Sequence, residues 1–340
     1  AIKLTSLPGL FTGIKLQPST WGKDARTKGI YAALASALFL GTTPVFGKQA
    51  ILSGASPLAV VAFRTIFAAI LLFIVMLIFN RKYLYIYPAG LLGCLLAGWT
   101  NGLGSLFYYS ALGRIDASIG HMLFSLYPIF LILWVSLDKQ PPGRLTLTRL
   151  LLAIPAVFLL TQAKSGQIDF LGSGQMLVAA ALYALHIPIN QRVLYDMPAP
   201  TVTLYTLLSM SAIVVPVYLF SEAGAIPSGE KVWLPILGLT TVTFMSRLML
   251  FLGVKHLGGM QTALIGLGEL LVAVAFSYLW LGERFSPMQW FGAALLILSL
   301  VMIIFENPTS KKNHSAGWLS WLRYVEIPIK VSYPNKNVPD

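Results

Sequence analysis

The sequence predicts an all-α integral membrane protein: ten transmembrane helices forming two inverted five-helix repeats, with both termini cytoplasmic. Three observations predict it. The 340 residues are 56% apolar and only 11% charged, with a mean hydropathy of +0.75, whereas soluble domains carry about 25% charge. Ten apolar stretches each approach the ~20 residues that a helix needs to cross the hydrocarbon core. Several features recur at an offset of 142–144 residues.

The same composition excludes a soluble enzyme, a disordered chain, collagen and a coiled coil. One cysteine, Cys94, excludes a disulfide scaffold or a multi-cysteine metal site. No cofactor is expected. The net charge of +12 needs no nucleic-acid partner, because cytoplasmic loops of membrane proteins collect Lys and Arg.

The spans fall at 29–51, 56–79, 87–110, 116–137, 144–162, 172–194, 199–221, 232–257, 260–281 and 286–305. The chain begins at Ala1, which is compatible with processing or truncation. The first span starts 28 residues in and is about twice as long as a leader's apolar region, so it reads as a membrane helix. The second opens after the turn Ser53-Gly54-Ala55-Ser56-Pro57. The third carries Gly98 and Gly102 at GxxxG spacing, with Gly93 and Gly104 close by, which suits close helix approach and leaves room for a cavity. The fourth holds Tyr127-Pro128, with His121 nearer its outer end. The fifth follows Pro141-Pro142-Gly143. The sixth contains His186, Pro188, Asn190 and Arg192, and the seventh opens at Pro200. The eighth contains Arg247 and turns at Gly258-Gly259 into the ninth, which carries Gly266, Gly268 and Glu269. These stretches are too long and too uniformly apolar for barrel strands. Helices also satisfy their own backbone groups in lipid.

Short connections make neighbouring helices antiparallel. Placing the N-terminus in the cytoplasm puts seventeen Lys and Arg inside, five outside and two within spans, so both ends are expected inside. The organisation is then a basic tail at 1–28, a first unit at 29–162, a second at 172–305, and a C-terminal tail at 306–340. The tail stretch Trp318-Leu319-Ser320-Trp321-Leu322-Arg323-Tyr324 reads either as a short amphipathic surface piece or as disordered. Under the offset, Pro44 falls on Pro188, Lys48 on Arg192, and Pro57 on Pro200. Five spans per unit invert the second unit relative to the first. Inverted repeats place a site between the halves and permit alternating access.

Phe107-Tyr108-Tyr109-Ser110-Ala111-Leu112, Ser125-Leu126-Tyr127-Pro128-Ile129-Phe130, Leu279-Trp280-Leu281-Gly282-Glu283-Arg284 and Pro287-Met288-Gln289-Trp290-Phe291-Gly292 resemble the EamA repeat of the drug/metabolite transporter superfamily. The resemblance covers residues 28–305. It implies ten helices in two inverted halves and the export or exchange of small metabolites. There are two departures. Leu137-Asp138-Lys139 stands where the family's first L-G-E belongs. Leu270, after Glu269, replaces the ninth helix's proline, so the resemblance carries no bend there.

Charges within spans are costly, roughly 2.5–3.5 kcal/mol each, so Arg64, Arg247 and Glu269 each need a reason. Arg247 and Glu269 both lie roughly 14–15 Å from the cytoplasmic surface at 1.5 Å per residue, on spans joined by two glycines. Either they form a structural ion pair, or Arg247 meets an anionic substrate group and Glu269 exchanges a coupling proton. Arg64 either binds helix-end carbonyls or offers its fork to a carboxylate or phosphate. His186 and Asn190 flank Pro188 and either occupy carbonyls freed by the proline or touch substrate. Tyr127 aligns with Glu269 in the repeat and is a cavity candidate. Arg192 and Lys48 lie near span ends, where long side chains reach water, and are read as topology signals. Trp233, Tyr278, Trp280 and Trp290 fit an interfacial belt. The candidate substrate-binding residues are therefore Arg64, Tyr127, His186, Asn190 and Arg247, with Glu269 for proton coupling and no catalytic or metal residues.

The expected function is a secondary active transporter, an exporter of small metabolites such as amino acids, in a bacterial plasma membrane. Its partners are the small-molecule substrate, a coupling proton and membrane lipid; a homodimer is left open. The alternative is exchange of phosphorylated metabolites or nucleotide sugars. Two cavity arginines, one facing Glu269, favour less charged cargo. An intramembrane enzyme ranks lower, since neither HExxH nor GxSxG occurs, and no Walker A sequence supports ATP-driven pumping.

Overall fold

A computed structural model describes residues 23–112, 114–115, 123–139, 142–161, 169–221, 227, 229–272, 275, 286–305, 317–319 and 322. His121, Lys164, Tyr278 and the stretch 279–284 lie outside the described residues, as do most of the two tails. No strand occurs among the described residues. Each predicted span contains a helix: α1 (Lys23–Leu52), α2 (Pro57–Phe79), α3 (Pro88–Leu112), α4 (Tyr127–Leu137), α5 (Arg144–Thr161), α6 (Phe170–Asp196), α7 (Ala199–Ser221), α8 (Glu230–Leu257), α9 (Gly259–Gly266) and α10 (Pro287–Val301). Among the described residues, five helices (α2, α3, α6, α7 and α8) are long and apolar enough to cross a membrane. Large apolar side chains lie exposed around the outside, among them Phe73, Ile78, Leu151, Phe158, Phe220 and Leu234. An aqueous surface would not carry so much exposed apolar area; lipid would.

Helix ends follow local chemistry. Ser56 caps α2 by accepting the Ala59 N–H at 3.0 Å, with Pro57 at the first helical position, where its missing donor costs nothing. The Pro-x-Gln-Trp opening of α10 is a capping box. Ser286 accepts from the Gln289 N–H at 3.3 Å, and the Gln289 side chain accepts from the Ser286 N–H at 2.9 Å. Asp169 caps α6 through the Leu171 and Gly172 N–H groups. Within the helices, Thr65, Thr203, Ser211 and Thr240 donate to carbonyls four residues back, so their hydroxyls stay satisfied in an apolar setting.

The pairing of helices repeats when α1–α5 are exchanged for α6–α10. α1 packs on α8 as α6 packs on α3; α2 meets α8 as α7 meets α3; α4 meets α6 as α9 meets α1. Glycines permit the closest of these approaches. In the α1–α8 pair, Gly29 lies against Leu257 and Gly253 against Ala33, while Ser36 donates to the Ser246 carbonyl at 3.0 Å. In the α3–α6 pair, Gly93 meets Val193 and Gly104 meets Leu182. Both pairs are thus antiparallel. Gly98 and Gly102 face Ser209 and Ile213 of α7, so the GxxxG spacing serves packing.

The fourth and ninth spans are both interrupted at repeat-related places. In the fourth, Ser125 and Leu126 form a turn between helical residues 123–124 and α4; the ninth turns at Leu267-Gly268 before helix resumes over residues 269–272. Tyr127 and Glu269 are the first helical residues after these breaks. Pro128 explains the first, since a proline in the opening turn starts a helix but cannot continue one. No proline makes the second. There Gly266 and Gly268 weaken the helix, and the Leu267 and Gly268 N–H groups both turn to the Ile265 carbonyl. The sequence offered no bend in span 9; glycines supply one.

Candidate functional site

The two breaks touch. The Tyr127 hydroxyl donates to the Ala263 carbonyl at 2.6 Å, one turn before the ninth-span interruption. It also lies where a Cβ on Gly266 would come within 2.8 Å, so that glycine is what admits the ring. Both Tyr127 and the helix after the second break are buried, Glu269 being 9% exposed. On its other side, Glu269 is crowded by α1. A Cβ on Gly41 would come 2.8 Å from the Glu269 carbonyl oxygen.

Around these breaks lies a chain of rings. Tyr109 of α3 meets Tyr108, and Tyr108 adjoins Phe124, which faces both Tyr127 and Tyr183, with centroids 5.0–6.0 Å apart. Tyr183 then meets Tyr127 at 5.0 Å and His186 at 4.7 Å. Two guanidinium groups sit on this surface. Arg64 from α2 lies 5.3 Å from the Tyr109 ring, and Arg247 from α8 lies 5.6 Å from Tyr183, within the range of cation–π attraction. The field of Glu269 acts on Arg247 and on the hydroxyls of Tyr108, Tyr127 and Tyr183, and that of Arg64 acts on Arg247 and Tyr108. Arg64, Arg247 and Glu269 therefore belong to one cluster of ionisable groups.

His186 is part of its scaffold. Its Nδ1 faces the Tyr183 carbonyl, and its Nε2 lies 3.5 Å from Arg247 Nη1. A guanidinium can only donate, so Nε2 accepts and Nδ1 carries the proton. This neutral tautomer orients Arg247. The Arg247–Glu269 ion pair weighed from the sequence is absent among the described residues. Arg247 meets His186 and Tyr183 instead, and no hydrogen bond reaches the Glu269 carboxylate among the described residues. Arg64 likewise keeps a buried Nε without a hydrogen-bond partner there.

Asn190 is fully buried against α7, accepting from Thr206 Oγ1 at 3.0 Å. Arg192 corrects a reading from sequence. It does not reach water; it is 3% exposed and bonds Asp138 Oδ2 through Nε at 3.0 Å and Nη2 at 2.6 Å. The side chain of Lys48, its repeat counterpart, lies outside the described residues. Sequence reasoning also missed Tyr183 and Phe124. Tyr183 stands one turn before His186, a spacing that puts both on one helix face and could have been noticed. A separate surface groove of about 450 Å³ between α1 and α8, lined by Lys28, Tyr31, Met249 and His256 among others, contains none of the predicted site residues.

The family model described as the EamA-like transporter family matches residues 27–162 and again 170–305, the two units read from the internal offset. No curated protein matches the chain. Among solved structures 29 chains match. One crystal structure, described only as that of a protein, superposes with a TM-score of 0.70 at 14% identity, covering 82% of this chain and 97% of its own; at that identity it speaks for the fold alone. The two matched repeats and the exposed apolar helices make this a multi-pass membrane protein, and the chain belongs to the EamA-like transporter family, within the drug/metabolite transporter superfamily.

Proposed function

We propose that the chain is a secondary active transporter that exports small zwitterionic metabolites of amino-acid type by alternating access. It crosses the membrane ten times in two inverted five-helix units, with both termini cytoplasmic. The exchange-symmetric helix pairing supports the inversion. α1 begins beside the end of α8, and α3 ends beside the start of α6. If each helix crosses once, α1 and α6 then start on opposite faces. Placing the residue-29 end inside agrees with the Lys and Arg distribution.

One observation carries the functional reading: two guanidiniums and one carboxylate share a field beside the two broken helices. A substrate carboxylate would meet Arg64 and Arg247 in the fork geometry that guanidinium favours. A substrate ammonium would meet Glu269. Because an ammonium and a proton compete for one carboxylate, substrate release leaves Glu269 to take up a proton, which gives exchange of substrate against protons. The ring chain supplies apolar contact for the substrate's side chain.

Counterflow in proteoliposomes with a labelled panel tests this: amino acids, their methyl esters, their N-acetyl forms and phosphomonoesters, each with and without a pH gradient. Amino acids should exchange, and the esters and acetyl forms should not. Glu269→Gln should abolish stimulation by the gradient in a protein that still unfolds cooperatively. Unchanged pH dependence in Glu269→Gln removes the proton role, and preference for phosphomonoesters removes the zwitterion in favour of anion exchange.

A further inference from the structure

The C-terminal tail returns to the helices. Gly317, Trp318 and Leu319 form a turn, and the Leu319 N–H donates to Asp138 Oδ1 at 3.1 Å. Asp138 follows the last residue of α4 and is 2% exposed; its other oxygen takes Arg192 of α6. Leu319 and Leu322, each 1% exposed, pack with Ala97 of α3 and Ile189 of α6. The Leu322 N–H closes the hook on the Leu319 carbonyl at 3.0 Å.

Two glycines make the seat. A Cβ on Gly93 would lie 3.0 Å from the Leu322 side chain and 2.6 Å from Val193, while one on Gly317 would run into the Asp138 carboxylate. Gly317 also has φ of +99°, which only glycine adopts readily. This is a fitted contact between chain segments more than 120 residues apart, and it lies at the boundary between the two repeats. α3 and α4 belong to the first and α6 to the second, so the Asp138–Arg192 pair bridges them.

From this we infer that Gly317, Trp318, Leu319 and Leu322 form an autoinhibitory latch that holds the α3–α4–α6 face closed through Asp138 and Arg192. Undocking of the tail frees that face to open. The latch rests on the alternating-access reading above. Its chemistry is reversible: one backbone hydrogen bond to the Asp138 carboxylate and two buried leucines. When docked, the tail adds its contacts to the closed conformer only. A conformer stabilised in this way lowers the fraction of protein competent to open, so release should speed exchange.

The test uses the full chain with Cys94, which is fully buried, replaced by Ala. Leu322→Cys should react with a water-soluble maleimide about tenfold or more slowly than Trp318→Cys, whose native side chain is largely exposed. Adding Asp138→Asn should erase the difference. In counterflow, Leu322→Asp and Asp138→Asn should each raise the exchange rate about threefold or more. Equal labelling at 318 and 322 overturns the docking. Slow labelling with exchange unchanged by either variant overturns the latch while leaving the transport reading intact. A wild-type protein that exchanges nothing in the panel overturns the transport reading and the latch with it, and the labelling still reports whether the tail docks.

Discussion

Tyr127→Phe removes one oxygen and nothing else, so it isolates the contact between the two helix breaks. The lost bond is 2.6 Å long and buried. Its acceptor, the Ala263 carbonyl, gains no substitute from the Leu267 N–H, which turns to Ile265. Leaving a buried acceptor unpaired costs about 1–3 kcal/mol in soluble proteins. Between membrane helices the measured average is about 0.6 kcal/mol and the ceiling about 1.7. The lower range applies here because an unfolded membrane helix also finds partners. If the bond exists only while the breaks face each other, the cost falls on one conformer. The conformational equilibrium then shifts roughly 3- to 18-fold, and unfolding in detergent moves down by a few °C, on the order of 1–4. Tyr183→Phe is the control, since the Tyr183 hydroxyl has no hydrogen bond among the described residues. The measurements are initial counterflow rate and unfolding temperature. Tyr127→Phe matching both wild type and the control would mean that the break-to-break bond holds nothing.

Three further outcomes follow from the packing and the charges. A Cβ at Gly98 would sit 2.6 Å from the Thr206 carbonyl, so Gly98→Val should overpack the α3–α7 seam by about 1–3 kcal/mol and lower the unfolding temperature; an unchanged temperature refutes the seam. Arg64→Lys keeps the charge but loses the fork and ring stacking, and should raise the substrate KM about tenfold; equal KM denies Arg64 a substrate contact. At the α6 cap, the Gly172 N–H foremost, with the Leu171 N–H and Arg114, holds the Asp169 carboxyl below its usual range, against the opposing effect of desolvation. A depressed folded pKa gives stabilisation that is present above the unfolded value, ~3.9, and lost as pH falls through the folded one. Carbon-13 titration should therefore place the Asp169 midpoint below ~3.9, and a midpoint at or above that value contradicts the cap.

The all-helical membrane class was legible because lipid and water impose different compositions, and each apolar stretch contains a helix among the described residues. The start of α10 rests on local capping chemistry, with Ser286, Pro287 and Gln289 together in its opening turn. The ninth-span break was hidden. Proline marks a break in sequence, whereas Gly266 and Gly268 look the same whether they interrupt a helix or admit a neighbour, and here they do both. Asp138 and Arg192 were hidden for a different reason. Each lies near a helix end, where a charge normally reaches water. Here they pair with each other across the repeat boundary, with a tail more than a hundred residues further along set against Asp138, and no periodicity in the sequence connects the three.

The site itself shows how a duplicated architecture can perform an unsymmetrical task. Both repeats interrupt the same helix at the same place and present the next side chain to the partner half. The first repeat presents Tyr127, which spends its hydroxyl on the opposing backbone. The second presents Glu269, whose carboxylate has no hydrogen bond among the described residues and stands in the field of Arg247. One break is therefore tied and the other is chemically free. A hydroxyl engaged with a carbonyl cannot also follow a substrate, whereas an unengaged carboxylate can exchange an ammonium for a proton at little structural cost. Coupling is thus expected to reside in the second repeat alone, with the first serving as the surface against which it moves. Moving the carboxylate to position 127 while placing tyrosine at 269 should then fail to restore gradient-driven exchange, even though the repeat relates the two positions, because Arg247 and His186 have no counterparts around residue 127's own break.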